Sequence, residues 1–220
     1  MKMANEKRRP GKRGDRNARV GIRIPKLGYY LIVTDTVGTE QNYFNGLRDS
    51  IRPDIRKNLV IRVEKSKTTE QLIHRTKELS MGMAQYCRPW IVFDRVEVPR
   101  FDEMIRKAEN EGIQVGWSNP CFEIWFHAYL GSMPPFMNSQ ECWKAFSAKL
   151  EKQLKYKYGK NDRQIFQKLE VMGNVHTAIK IARKKYEREI EELMKSPSEA
   201  QSVTAVYKLV EEILSKAETT

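Results

Sequence analysis

Four short apolar runs alternate with amphipathic helical patterns between residues 29 and 130 of the 220-residue sequence. The runs occupy residues 29–34, 59–63, 91–97 and 113–117, and apolar residues spaced three and four positions apart follow each of them. Runs of this length suit buried strands, and their alternation with helices is typical of a doubly wound, mostly parallel sheet. We therefore expect an α/β fold with about four strands and flanking helices.

Capping and turn residues indicate where these helices begin. Thr39 is placed to cap the helix after the first strand, and Thr68 stands three residues before a glutamine, which is the spacing of a capping box. Pro99 suits the start of the third helix. Asn119 suits the cap of a fourth helix over residues 120–130, with Pro120 in its first turn.

Acidic side chains follow two of the predicted strands. Asp94 and Glu97 end the run 91–97, and Glu123 falls in the first turn of the helix after the run 113–117. The carboxyl ends of parallel strands share one edge of a sheet, where ligands bind. We therefore expect the three carboxylates to line one crevice. The alternative interpretation is structural, because Asp is common at strand ends, where it opens turns.

The sequence is strongly basic, with a formal net charge of +12 and a pI near 9.6. Such a balance favours a polyanionic partner, most simply RNA or DNA. Residues 1–26 hold ten basic and two acidic side chains and show no apolar period. We expect them to form a disordered, flexible arm that binds phosphates, with a solubilising tail as the alternative. Nucleic-acid binding is assigned to Arg8, Arg9, Lys12, Arg13, Arg16, Arg19, Arg23 and Arg95.

Other classes of protein lack support in the sequence. The three cysteines do not have the spacing of a metal site, and there is neither a signal-like segment nor an apolar stretch of 18 residues. We expect a cytoplasmic protein with no membrane partner. No P-loop, zinc site or nucleophilic triad is recognisable, and His127 receives no catalytic role. A monomer and a homodimer are both open.

From Ser139 onward, after Pro134-Pro135, the patterns are helical only. A second capping box at residues 198–201 indicates the start of the last helix, which includes Val203. We expect three regions, namely a basic arm over 1–26, an α/β core over 27–133 and a helical lobe over 134–220. Basic residues of the lobe, Lys160 among them, are typical of solvated helix faces, although basic surface near an acidic crevice also suits a phosphodiester substrate.

Two sequence motifs contain the acidic residues Asp94 and Glu123. Phe93-Asp94-Arg95 is followed by Pro99-Arg100-Phe101, and Trp117-Ser118-Asn119-Pro120-Cys121-Phe122-Glu123-x-Trp125 comes later. Both closely resemble the RloB-like family, prokaryotic proteins with a Toprim-type catalytic core. The resemblance continues in Thr39-Glu40-x-x-Tyr43-Phe44 and in Ser196-Pro197-Ser198, and so covers almost the whole chain.

The resemblance implies a Toprim-like fold and a magnesium-dependent phosphodiester enzyme acting on nucleic acid in phage defence. Asp94 would be the principal metal ligand and Glu97 an auxiliary one. Asp35 would be the acid/base and a further ligand, with Glu40 and Glu123 as supporting acids. The expected ion is Mg²⁺, with Mn²⁺ as its substitute, because both prefer hard oxygen ligands.

Two acidic positions depart from the family pattern, and Thr36 stands where a glycine is expected. Asp35 stands where a glutamate is expected, and Val96 stands where a second aspartate is expected, with the acid displaced to Glu97. Asp35 is therefore either a shifted catalytic residue or a vestige, and a two-metal mechanism is in doubt. Three functions stay open, namely a nuclease, a Toprim-type nucleotidyltransferase or RNA polymerase, and a nucleic-acid-binding subunit whose catalytic acids have decayed.

Overall fold

The structure of the protein is a computed structural model that describes residues 29–34, 38–83, 87–96 and 98–218. Its strands are β1 (Tyr29–Thr34), β2 (Leu59–Val63), β3 (Cys87–Asp94), β4 (Gln114–Asn119) and β5 (Val203–Thr204). They form one sheet in the order β2-β1-β3-β4-β5, in which all neighbouring pairs are parallel except β4 with β5. The predicted α/β fold with a mostly parallel sheet is confirmed, and β5 is added at its edge.

Helices cover both faces of the sheet. They are α1 (Thr39–Ser50), α2 (Pro53–Arg56), α3 (Thr69–Met81), α4 (Phe101–Asn110), α5 (Glu123–Tyr129), α6 (Ser139–Leu154), α7 (Ile165–Met172), α8 (Val175–Tyr186) and α9 (Val206–Glu218). A π-helical segment, Glu187–Glu192, continues α8. No helix in the described part of the chain combines the length and the apolar character that a membrane crossing requires.

The alternating side chains of β1 separate two hydrophobic clusters. Leu31 and Val33 pack with α3 and α4, whereas Tyr30 and Ile32 pack with α1 and α5 to α9 on the opposite face. The helices after residue 134 thus share a hydrophobic cluster with α1 and α5. The predicted division of the chain into three regions, at residues 26 and 133, stays a prediction.

Helix α1 lies unusually close to α7. At Gly46 an added Cβ would stand only 2.4 Å from the Cβ of Phe166. Next to this crossing, the buried ring of Tyr43 contacts the rings of Phe122 and Phe166 edge to face. The absence of a side chain at Gly46 therefore lets α1 and α7 approach closely, and aromatic rings pack densely around Tyr43.

Three of the predicted helix starts were wrong by a few residues. Gly38 precedes α1 as its cap and Thr39 is already helical, and α4 begins at Phe101 rather than at Pro99. Asn119 is the last residue of β4, and α5 begins only at residue 123. The Asn119 side chain caps no helix because its Nδ2 donates to the carbonyl oxygens of Pro197 and Ser198, at 3.0 and 3.2 Å. The cap predicted at Thr68 is confirmed, since its side chain accepts a hydrogen bond from the backbone N–H of Gln71.

The prediction of helix only beyond residue 139 was also wrong. Val203–Thr204 forms β5, and the Thr204 hydroxyl lies 2.8 Å from that of Ser118 on β4. The capping box at residues 198–201 starts no helix, because the N–H and hydroxyl of Ser198 both donate to the Asp102 carboxylate. Helix α9 begins later, at Val206, whose N–H donates to Thr204 Oγ1.

Candidate functional site

The carboxyl ends of β1 and β3 form a crevice at the centre of the sheet. These two strands are neighbours, but the chain leaves β1 toward α1 on one face and leaves β3 toward α4 on the other. Divergent connections from adjacent parallel strands open a space between them, and ligands of open α/β sheets bind at such a switch point.

The described acids predicted for the site all lie at this edge of the sheet. Asp94 is the partly buried last residue of β3, and Glu40 is partly buried in the first turn of α1. Glu123 is the first residue of α5 and is only 2 % exposed. Arg95 follows Asp94 and is exposed. The other predicted site residues lie outside the described residues, namely Asp35, Glu97, Arg8, Arg9, Lys12, Arg13, Arg16, Arg19 and Arg23.

Lys160 joins the three carboxylates electrostatically. Partial desolvation of its ammonium group lowers its pKa, but the charges of Glu123, Asp94 and Glu40 outweigh this, so the pKa of Lys160 lies above its ordinary value. The residue is nevertheless exposed enough to meet a ligand. The structure therefore places the Lys160 ammonium group at the edge of the sheet where the three acids lie.

A buried pair of hydroxyl groups connects the segment that carries this lysine to the first residues of α1 and α5. The Tyr158 hydroxyl donates to Glu123 Oε1 at 3.1 Å and lies 3.1 Å from Thr39 Oγ1. Thr39 in turn donates to the carbonyl oxygen of Lys160 at 3.4 Å. Burial and the neighbouring Glu123 carboxylate raise the pKa of Tyr158, so its phenol stays protonated and remains a donor.

The segment 155–164, which carries Tyr158 and Lys160, is held by two further contacts. Lys168 Nζ lies 2.7 Å from Asp162 Oδ2, and both side chains are largely buried. The Tyr158 ring packs against Phe146 with the ring centroids 4.9 Å apart. A partly buried ion pair fixes a segment firmly, because separating its members would leave a charge without compensation.

The residue types at this edge suit a hard divalent cation. Among the described residues, no three His, Cys, Asp or Glu side chains lie close enough to hold a metal together. Mg²⁺ commonly takes only one or two protein carboxylates and completes its shell with water and substrate phosphates. The partly buried carboxylate of Asp94 fits that mode, and two of the three predicted ligands lie outside the described residues.

The sequence did not single out Lys160 or Tyr158 as site residues. Lys160 was grouped with the basic residues of solvated helix faces, yet Gly159-Lys160-Asn161-Asp162 interrupts the helical pattern with residues typical of turns. That break between two amphipathic segments is the signal that separates this lysine from the others.

Comparison with protein families found a match over most of the chain. The model of a family described as "RloB-like protein" matches residues 30–213, from β1 into α9, and the match includes Glu40, Asp94, Glu123 and Lys160. Comparisons with curated proteins and with solved structures found no match.

Proposed function

Because the chain belongs to the RloB-like family, we propose that it is a Mg²⁺-dependent enzyme that cleaves phosphodiester bonds of nucleic acid. The observation that supports this most is the convergence of Glu40, Asp94 and Glu123 on Lys160 at the switch point of the sheet. Acids that hold a cation beside a lysine that binds a phosphate are the elements that phosphoryl transfer requires.

Asp94 is the residue we assign to the ion. It ends β3 at the crevice and is partly accessible, so its carboxylate can face a ligand from the sheet edge. Glu40 on the neighbouring connection, and the sequence-predicted Asp35 and Glu97, would complete the acidic set. A bound Mg²⁺ would supply Lewis acidity toward a phosphoryl oxygen and a more acidic water.

Lys160 and Glu123 have different tasks in this proposal. Lys160 binds a non-bridging phosphate oxygen and opposes the charge that grows there during bond cleavage. Glu123 is too buried to touch the substrate, so it is a positioning residue that keeps Lys160 charged and orients the Tyr158 hydroxyl.

The nucleic-acid substrate is inferred from charge. The net charge of +12 draws polyanions toward the molecule, and the basic surface offsets the repulsion between the acidic crevice and a phosphate. The biological setting that we propose, from the family resemblance, is defence of a prokaryotic cell against phage, in the cytoplasm.

The first prediction concerns Asp94. Labelled RNA and DNA incubated with the protein and Mg²⁺ or Mn²⁺ should be shortened, and chelation of the metal should stop the reaction. Asp94→Asn should lower the cleavage rate by a factor on the order of 100 or more, because a metal ligand loses its charge. Asp54→Asn is the matched control, since Asp54 is an exposed carboxylate on α2, before the amino end of β2 and so away from the crevice.

The same assay separates the alternatives. Lengthening of a primer in the presence of nucleotides would identify a nucleotidyltransferase, and a gel shift without turnover would identify a binding subunit. Cleavage by Asp94→Asn at the rate of the unmodified protein would remove the proposed site.

The second prediction concerns Lys160. Lys160→Met should reduce kcat more than it raises KM, because the lysine acts most strongly on charge that develops in the transition state, and Lys160→Arg should recover part of the loss. Lys144→Met is a suitable control, since Lys144 is an exposed lysine of α6 that forms no salt bridge with a described residue. A rise in KM alone would reduce Lys160 to a general substrate contact.

A further inference from the structure

An open cavity of about 680 Å³ lies beside the acidic crevice, on the side of the sheet that α4 covers. Its wall begins at Arg95 and Val96, directly after Asp94, and continues over Arg106 of α4 to Pro120 and Met137. Two residues of the cavity wall thus follow directly in the sequence after Asp94, the residue that we assign to the metal ion. None of these five wall residues belongs to the catalytic set described above.

Among the described residues that line this cavity, the charges without an ionic or hydrogen-bonded partner are positive. Arg100 pairs with Glu103, and the Asp102 carboxylate accepts two hydrogen bonds from Ser198. Arg95 and Arg106 form no salt bridge with any residue in the described ranges, and both are exposed. Two guanidinium groups are therefore available for an anion, and guanidinium suits phosphate because its N–H groups bind in pairs.

The same cavity presents apolar side chains to solvent. Val96 is 58 % exposed and Met137 is 76 % exposed, and both line the cavity wall. Thioether and branched aliphatic groups can contact the flat face of a base, which a duplex keeps stacked inside its helix. Cationic and apolar groups side by side are the pattern of a site for unpaired nucleotides.

We infer that this cavity binds a single-stranded segment of the nucleic acid, next to the phosphate that Lys160 binds beside the ion assigned to Asp94. Arg95 and Arg106 bind the phosphates of that segment, and Val96 and Met137 contact its bases. A concave site of this size accepts individual nucleotides, whereas a duplex would have to open before its bases could enter. The inference rests on the proposed function, because it takes the crevice as the place of cleavage.

Binding without turnover tests the cavity. The full chain carrying Asp94→Asn is titrated with labelled single-stranded and duplex oligonucleotides, and affinity is measured by fluorescence anisotropy at several salt concentrations. Adding Arg106→Glu should weaken single-strand binding about tenfold and lower the salt slope by about one counterion, with a smaller effect on duplex. Met137→Ser should weaken single-strand binding alone.

Lys180→Glu provides the matched charge reversal, since Lys180 is exposed on α8, against the opposite face of the sheet. Arg106→Gln repeats the test without reversal, and the melting temperature of each variant confirms that it is folded. Unchanged single-strand affinity, an equal loss for duplex, or an equal loss in Lys180→Glu would overturn the inference.

The two proposals fail separately. If the unmodified protein cleaves nucleic acid but Arg106 and Met137 do not affect single-strand binding, the cavity assignment is wrong and the active site stands. If the protein cleaves nothing while Arg106→Glu still weakens single-strand binding selectively, the proposed reaction is wrong and the binding site stands.

Discussion

His127 shows how one buried side chain makes stability depend on pH. It is fully buried in α5, its Nε2 lies 3.1 Å from the carbonyl oxygen of Cys142, and its ring contacts that of Phe136 at a tilt, with the centroids 4.8 Å apart. Burial, together with the charge of Lys149, lowers the pKa of its imidazole to about 4, although the hydrogen bond to Cys142 acts in the opposite direction. His127 is therefore neutral in the folded protein at neutral pH.

We predict that acid destabilises the fold through this residue. An unfolded histidine titrates near pH 6.5, so between about pH 6.5 and 4 the unfolded chain binds a proton that the folded chain does not. The free energy of unfolding should fall as the pH drops through this window, by at most about 3 kcal/mol from His127 alone. Urea unfolding at pH 7, 5.5 and 4.5 measures the loss.

The control for this prediction is His127→Gln, which can still donate to the Cys142 carbonyl but does not titrate. It should lose less stability than the unmodified protein across the same pH range. Equal losses in both proteins would show that His127 is not the group responsible.

At the same scale, the site was only partly predictable. Asp94 and Glu123 were expected at one edge because a strand ends at or just before each, and chain direction alone places them there. Lys160 could not be assigned in this way. Its position depends on the Asp162–Lys168 ion pair and on the packing of Tyr158, and both are contacts of the folded segment 155–164.

At the scale of helices and strands, the approach of α1 to α7 is a contact with little room for a larger residue. The Cβ that Gly46 lacks would fall on the Cβ of Phe166, an atom fixed to the backbone of α7. Helix α1 also supplies Glu40 to the crevice. The distance between α1 and α7 therefore affects the site as well as the core.

Gly46→Ala should therefore destabilise the protein, although alanine is the better helix former. Intrinsic propensity favours alanine by about 1 kcal/mol, whereas overpacking a tight core costs about 1–3 kcal/mol, and a contact of 2.4 Å lies at the costly end. The expected result is a melting temperature lower by roughly 3–6 °C. Gly82→Ala is the control, since among the described residues its added Cβ would meet only Leu79 O, at an ordinary 3.6 Å.

Local patterns predicted the longer elements and missed those that depend on distant partners. Strands β1 to β4 were recognisable because each contains a short run of mostly apolar residues, and the cap of α3 follows from Thr68 and Gln71 alone. Strand β5 has only two residues, too few for any periodicity, and it exists because β4 offers an edge. Asn119 resembled a helix cap until its partners, far along the chain, were known.

At the scale of the whole molecule, charge is divided unevenly between the arm and the rest. Residues 1–26 hold a net charge of +8 out of the total of +12. By number alone, the basic residues of this arm can contact more phosphates than the cavity, where two arginines form no salt bridge with a described residue. We expect the arm to set the overall affinity for nucleic acid and the cavity to set the preference for single strands.

Deleting residues 1–24 should weaken binding to single-stranded and duplex nucleic acid alike and should flatten the dependence of affinity on salt, because fewer counterions are released. Anisotropy titrations from low to moderate salt measure both effects. The ratio of single-strand to duplex affinity should not change. If affinity at moderate salt stayed the same after the deletion, the arm would be a solubilising tail.

The order of synthesis gives β5 a further consequence. During translation β4 leaves the ribosome well before β5, so the nascent chain first exposes an unpaired strand edge, which invites contact with other polypeptides. The same order delivers Asp94 long before Lys160. A nascent chain that already presents Asp94 therefore still lacks Lys160, which under the proposed function leaves it without the residue that binds the phosphate.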